Sequence, residues 1–170
     1  MFQKGEYVIY GNNGICRIEE IGIPVGTPMG RSGKEYYTLA PVFGSGSIYA
    51  PVDTKVFMRA ILTKEQAEHL IEQIPDIQEE EFEGRDVRAL SEKYKGCLDT
   101  HQCEDLVKLI KTVYIKEKTM VENGKKLAKT EQEFGKLAKE LLHREFSMAL
   151  GIPYEEVEVY ITEKVNALSK

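Results

Sequence analysis

GEYVIYGNNGICRIEEI, residues 5–21, holds two β-branched and aromatic runs, Tyr7 to Tyr10 and Ile15 to Ile21, around a Gly- and Asn-rich break. Runs of that composition and length read as strands. Asn12-Asn13-Gly14 suits a tight turn that needs positive φ. Two strands alone are marginal in water, so further strands must cover one face. They follow as EYYTLAP, residues 35–41, and SIYAPV, residues 47–52, after a loop GTPMGRSGK at 26–34. Helical periodicity is absent up to about residue 60. Four or five strands of this spacing are expected to curl into a small barrel, with a core so small that it leans on the rest of the chain or on a partner.

The period changes at Thr63. Thr63 and Gln66 form a capping-box pattern, Pro75 stops the helix, and Ala67, Leu70, Ile71 and Ile74 form its inner face. Residues 75–84, PDIQEEEFEG, read as an acidic linker or helix entry. Leu106, Ile110 and Val113 mark a further helix. Thr130 with Glu133 is expected to cap another that runs to Leu150, and Pro153 opens a last one using Val157, Ile161, Val165 and Leu168. The fold class expected is α+β: a small N-terminal β barrel, then an all-α helical domain.

The 170 residues are 42% apolar and carry three cysteines, Cys16, Cys97 and Cys103. That is a globular composition without a disulfide framework, which fits a reducing, cytoplasmic compartment. Neither a long apolar run nor a basic-then-apolar leader occurs, so no membrane association is expected. Net charge is −5, against coating nucleic acid by bulk charge, but its spread is uneven: residues 61–84 carry −7 and residues 85–119 carry +2.

Phosphate-binding Gly loops, the G-x-S-x-G elbow and H-E-x-x-H are all absent, so no enzyme, cofactor or small-molecule substrate is expected. Cys97, His101 and Cys103 lie close enough in sequence to suggest zinc, but no fourth ligand is apparent, and packed thiols with a surface imidazole are the expectation. On a wheel of about 100° per residue, Lys125, Lys129, Lys136 and Lys139 form one stripe opposite Leu127, Phe134, Ala138, Leu141 and Met148. That stripe reads either as a solvated polar face or as a phosphate-facing one.

F-x-x-G-E-Y-V-I-Y at 2–10, G-I-C-R-I-E-E-I at 14–21, K-E-Y-Y-T-L at 34–39 and I-Y-A-P-V at 48–52 resemble the CarD/CdnL/TRCF family of bacterial transcription proteins. The resemblance extends to LSEKYKGCLDT at 90–100 and AKELLHREFSMALGI at 138–152. It implies a Tudor-like, SH3-like module over 1–62 that binds the β subunit of RNA polymerase, a connecting helix and acidic linker over 63–84, and a helical domain over 85–170 that contacts promoter DNA. The function implied is regulation of open-complex stability, near the upstream edge of the transcription bubble. Motor activity of the related transcription-repair coupling factor is not implied, because no P-loop is present.

On this basis Ile48, Tyr49, Ala50 and Pro51 are expected at the polymerase contact, as an edge strand open to pairing. Many CarD sequences carry an arginine where Tyr49 stands, and Tyr49 reads either as a contact or as packed on the barrel. Arg85, Arg88, Leu90, Lys93, Lys95, Lys125, Lys129 and Lys136 are the expected DNA contacts. CarD proteins generally place a wedging tryptophan where Leu90 stands; this chain has no tryptophan. Leu90 reads as a weaker wedge or as core, Tyr94 as core. The alternative function is a protein-interaction adaptor that never touches DNA.

Overall fold

The computed structural model describes residues 1–79 and 86–168. Its contacts divide the chain into two compact units at Ile61 and Leu62.

The first unit is a five-stranded antiparallel sheet: β1 (Tyr7–Tyr10), β2 (Ile15–Gly22), β3 (Tyr36–Pro41), β4 (Ile48–Pro51) and β5 (Met58–Ala60). The ladder order is β4-β3-β2-β1-β5, which leaves β4 and β5 at opposite edges, so the strands do not close into a continuous ring. Alternation along the strands sends Val8, Tyr10, Cys16, Ile18, Tyr37, Leu39 and Ala50 into one core. A register shift between Ile18 and Glu20 inserts Glu19, so Ile18 opposite Leu39 and Ile21 opposite Tyr37 both keep to the apolar face.

The β1–β2 turn has the expected positive φ at Gly14 and a second at Gly11. Gly11–Asn13 form a 3₁₀ turn. Gly11 is further required because a Cβ there would stand 2.8 Å from Val56 Cγ1.

The second unit comprises α1 (Lys64–Gln73), α2 (Val87–Asp99), α3 (Cys103–Glu122), α4 (Lys129–Leu150) and α5 (Val157–Leu168). Thr63 and Gln66 close both hydrogen bonds of the capping box, and Pro75 lies in the single 3₁₀ turn that ends α1. Ala67, Leu70 and Ile71 then pack α1 against α4 and α5. Lys111 Nζ donates to the Ile77 carbonyl at 2.7 Å, tying down the start of the acidic stretch. Residues 80–85, the rest of that stretch with Arg85, lie outside the described residues.

The expected cap of α4 is corrected. Its N-cap is Ala128, which offers no side-chain acceptor, and Thr130 lies within the first turn. Gln132 Nε2 donates to the Leu127 carbonyl at 2.8 Å, tying the chain just before the helix to its first turn. At the other end Gly151, in the left-handed region, donates its N–H to the Ser147 carbonyl at 3.0 Å. Among the described residues no helix is long and apolar enough to cross a membrane.

Candidate functional site

The two sheet edges differ in what they offer. Val52 N–H donates to the Glu35 carbonyl at 3.1 Å, so the Glu35–Val52 level is a hydrogen-bonded one. Hydrogen-bonded and non-bonded pairs alternate in an antiparallel ladder. With Tyr36 opposite Pro51, Tyr37 opposite Ala50, Thr38 opposite Tyr49 and Leu39 opposite Ile48, the inward-bonded residues of β4 are Ala50 and Ile48. Tyr49 therefore aims its N–H and C=O away from the sheet. Pro51 aims only a C=O that way, because it has no N–H. A strand added to β4 meets one donor and one acceptor at Tyr49 and a further acceptor at Pro51.

Side chains on β4 alternate in the same manner. Ile48 and Ala50 face the core, whereas Tyr49 shares the opposite face with Thr38 and is half-buried there. Of the four expected contact residues, then, Ile48 and Ala50 hold the edge in place and Tyr49 and Pro51 present it.

At the opposite edge, Ile61 N–H donates to the Tyr7 carbonyl at 3.1 Å and Gly11 N–H to the Phe57 carbonyl at 2.8 Å. The outward-aimed residues of β5 are accordingly Met58 and Ala60. Arg59 Nη1 donates to the Ala60 carbonyl at 3.1 Å, placing a charged side chain over that outward acceptor. A three-residue strand with a guanidinium on its edge is a poor template for pairing. Sequence reading missed Arg59, whose role follows only from the register of β5.

In the helical unit Leu90 is 5% exposed and Tyr94 fully buried, both in the core beneath α2. The structure packs Leu90 in the core rather than presenting it as an exposed wedge: four apart on one helix face, Leu90 and Tyr94 anchor α2. Arg88, Lys93 and Lys95 are exposed. Arg88 and Lys95, seven apart, share a stripe, and Lys93 lies on a different face. Asp86 caps the helix by accepting from Arg88 N–H at 3.0 Å.

Lys125 does not belong to the α4 stripe. It precedes the helix, and its backbone N–H donates to the Met120 carbonyl at 2.8 Å in the turn that ends α3. Lys129 and Lys136 are exposed on α4, while Lys139 is held by Glu158 at 2.7 Å.

The inner face of α4 carries polar groups that its sequence hid. Glu131 is buried, accepting from Lys116 Nζ at 2.7 Å and from the Tyr94 hydroxyl at 3.3 Å. Burial, then the Glu131 carboxylate, hold the Tyr94 phenol well above its ordinary range. Glu145 is buried as well, accepting from Leu62 N–H at 2.9 Å and Cys103 Sγ at 3.2 Å. His143 packs edge-on to Tyr154, its ring centroid 6.2 Å away, and burial pushes its pKa down. Glu131 and Glu145, fourteen apart, were legible only as inner-stripe positions with Phe134 and Ala138.

Cys97, His101 and Cys103 are not brought together as ligands: among the described residues no three His, Cys, Asp or Glu side chains are arranged to hold a metal ion.

No curated protein matches the chain. Residues 2–62 match the family model of the CarD-like/TRCF RID domain, a span that includes the whole five-stranded sheet and stops where the helical unit begins. The N-terminal unit, with its open β4 edge, is therefore a CarD-like/TRCF RID domain, an RNA polymerase-interacting domain.

Proposed function

We propose that the chain is a non-enzymatic transcription regulator that docks on the β subunit of RNA polymerase through β4 and contacts promoter DNA through its helical unit. The observation that carries the first half is the coincidence of the RID match with a sheet that leaves β4 open and covers the β5 carbonyl with Arg59. Main-chain pairing would supply affinity, and the alternate side chains of the added strand would supply selectivity. The second half rests on exposed Arg88 and Lys95 on one stripe of α2, with Lys129 and Lys136 exposed on α4. Tethering by the sheet raises the local concentration of DNA around these cations, so a few phosphate contacts suffice.

The register decides the test. Ile48→Pro would remove a bond inside the sheet, whereas Tyr49→Pro removes the outward donor and spares the β3–β4 ladder. Wild-type chain co-elutes with RNA polymerase on a sizing column and Tyr49→Pro does not; equal co-elution of the two contradicts edge docking.

The adaptor reading, with no DNA contact, is favoured by one observation: burial of Leu90 leaves no apolar wedge at that position. Salt separates the readings. Phosphate contacts release counterions, so affinity for forked promoter DNA falls steeply with salt, and Arg88→Glu with Lys95→Glu reduces the slope by about 2. An unchanged slope favours the adaptor.

A further inference from the structure

Two asparagines of the chain precede glycine: Asn13-Gly14 in the β1–β2 turn and Asn123-Gly124 after α3. Without a Cβ, glycine leaves its own amide nitrogen open to the carboxamide of the residue before it. Closure of that pair into a cyclic imide is the first step of asparagine deamidation. Both asparagines are exposed, and a Cβ placed on either glycine would meet nothing within 4 Å, so neither nitrogen is crowded.

Hydrogen bonding separates the two turns. Asn123 Nδ2 donates to the Thr119 carbonyl at 3.0 Å, and Gly124 N–H donates to the Val121 carbonyl at 3.0 Å. Both bonds must open before that nitrogen and the carboxamide carbon meet. The Asn13 carboxamide, by contrast, makes no hydrogen bond among the described residues. Its turn is a single 3₁₀ one, Gly11–Asn13, a geometry with poorer hydrogen bonds than an α-helix. The ends of the turn are the parts held by the sheet: Gly11 N–H donates to the Phe57 carbonyl at 2.8 Å, and Tyr10 N–H to the Gly14 carbonyl at 2.9 Å. The strands therefore stay paired while the Asn13 side chain swings toward Gly14.

We propose that Asn13 is a site of spontaneous deamidation in the folded protein, and that its two tethers protect Asn123. The Gly14 amide nitrogen gives up its proton and attacks Asn13 Cγ. The N–Cγ bond forms, the Cγ–Nδ2 bond breaks, and ammonia leaves. Water then opens the imide at either carbonyl, giving aspartate or isoaspartate at position 13. Aspartate adds one negative charge to the turn. Isoaspartate carries the main chain through Cγ and inserts one further atom between residues 13 and 14. The added atom pulls the Gly14 carbonyl from Tyr10 N–H and loosens the turn that Gly11 ties to Phe57, so the altered sheet melts lower. An exposed isoaspartate is also the acceptor class for methyl transfer from S-adenosylmethionine to its free carboxylate. In the ladder β3 stands between β2 and β4, so the reaction does not depend on what β4 docks.

The experiment incubates the full chain at mildly alkaline pH, folded and in parallel unfolded in guanidinium, and then digests it with trypsin. Cleavage after Lys4, Arg17, Lys118 and Lys125 puts the two sites in separate peptides, 5–17 and 119–125. Mass spectrometry reads conversion in each, and an isoaspartyl methyltransferase with labelled S-adenosylmethionine reads the isoaspartate. In the folded chain peptide 5–17 is expected to convert at least about tenfold faster than 119–125, because two hydrogen bonds must open at Asn123-Gly124. In guanidinium the two rates converge, and Asn13→Gln abolishes the fast conversion in 5–17. Equal rates in the folded chain, or a faster 119–125, overturn the proposal. A difference that survives unfolding overturns it too, since neighbouring sequence rather than the fold then sets the preference. Conversion in 5–17 that persists in Asn13→Gln moves the reaction to Asn12 and overturns the site. Circular dichroism establishes that Asn13→Gln is folded; should it misfold, the two wild-type peptides decide.

Discussion

Gly135 lies inside α4 close against Val113 of α3, and replacing it with alanine sets two effects of known size against each other. An alanine in a helix interior is better than glycine by about 1 kcal/mol. A Cβ at 135, however, would stand 2.8 Å from Val113 Cγ1 and 3.2 Å from Val113 Cβ. Val113 is buried, and a valine in a helix keeps essentially one χ1 rotamer, so its methyls cannot swing aside. Overpacking of this kind costs about 1–3 kcal/mol. The clash wins, and Gly135→Ala is expected to destabilise the helical unit by about 1 kcal/mol net. Val113→Ala alone removes two buried methyl groups and costs about 2 kcal/mol. In that background the alanine methyl at 135 no longer meets the Val113 methyls but still faces the Cβ at 113 at 3.2 Å, so the same substitution ranges from neutral to stabilising by about 1 kcal/mol. The assay is urea unfolding of the four chains, followed by the helical circular dichroism signal and compared at equal m. The expected coupling is about 1–2 kcal/mol. Stabilisation by Gly135→Ala in the wild-type background would refute the close approach of α3 and α4.

Two further outcomes concern the polar groups inside the helical unit. Glu131→Ala removes the carboxylate that accepts from Lys116 and Tyr94, and should lower stability by about 1–3 kcal/mol in urea unfolding; a loss under about 0.5 kcal/mol would show the network to be inert. His143 gives the stability a pH dependence. Burial, and then Lys139, lower its folded pKa, with Glu158 opposing, so on acidification the unfolded chain takes up the proton first. Its contribution is full above the unfolded value near 6.5 and is lost as pH falls toward the folded one, with a slope of at most about 1.4 kcal/mol per pH unit. Stability measured at falling pH should drop less steeply in His143→Gln; an identical slope contradicts the assignment.

Much of the architecture was legible because period and punctuation carry it. The switch from strand runs to helical spacing at Thr63 coincides with the structural division at Ile61 and Leu62, and the capping box at Thr63 and Gln66 forms as written. What the sequence hid depends on contacts between distant residues. Which β4 groups face outward follows from one cross-strand bond, Val52 to Glu35, that fixes the phase of the whole ladder. Arg59 reads as a surface cation until β5 is seen as an edge. Leu90 and Tyr94 have the spacing of a core face, Leu90 also has the family position of a wedge, and both side chains are buried in the helical core. Glu131 and Glu145 look like solvated charges on an amphipathic helix, because their partners Lys116, Tyr94, Leu62 and Cys103 come from other segments. The lysine stripe fails at Lys125 for a local reason: α4 starts at Lys129, without the side-chain cap that Thr130 suggested.

The most direct measurement of edge docking is amide hydrogen exchange at residues 48–50, with and without RNA polymerase. In the free chain Tyr49 N–H points away from the sheet and exchanges quickly, whereas Ile48 and Ala50 N–H are held by β3 and exchange slowly. Docking of a strand on β4 predicts that polymerase slows Tyr49 selectively, leaving its two neighbours little changed. Fast exchange at Tyr49 in a chain demonstrably bound to polymerase would contradict the account.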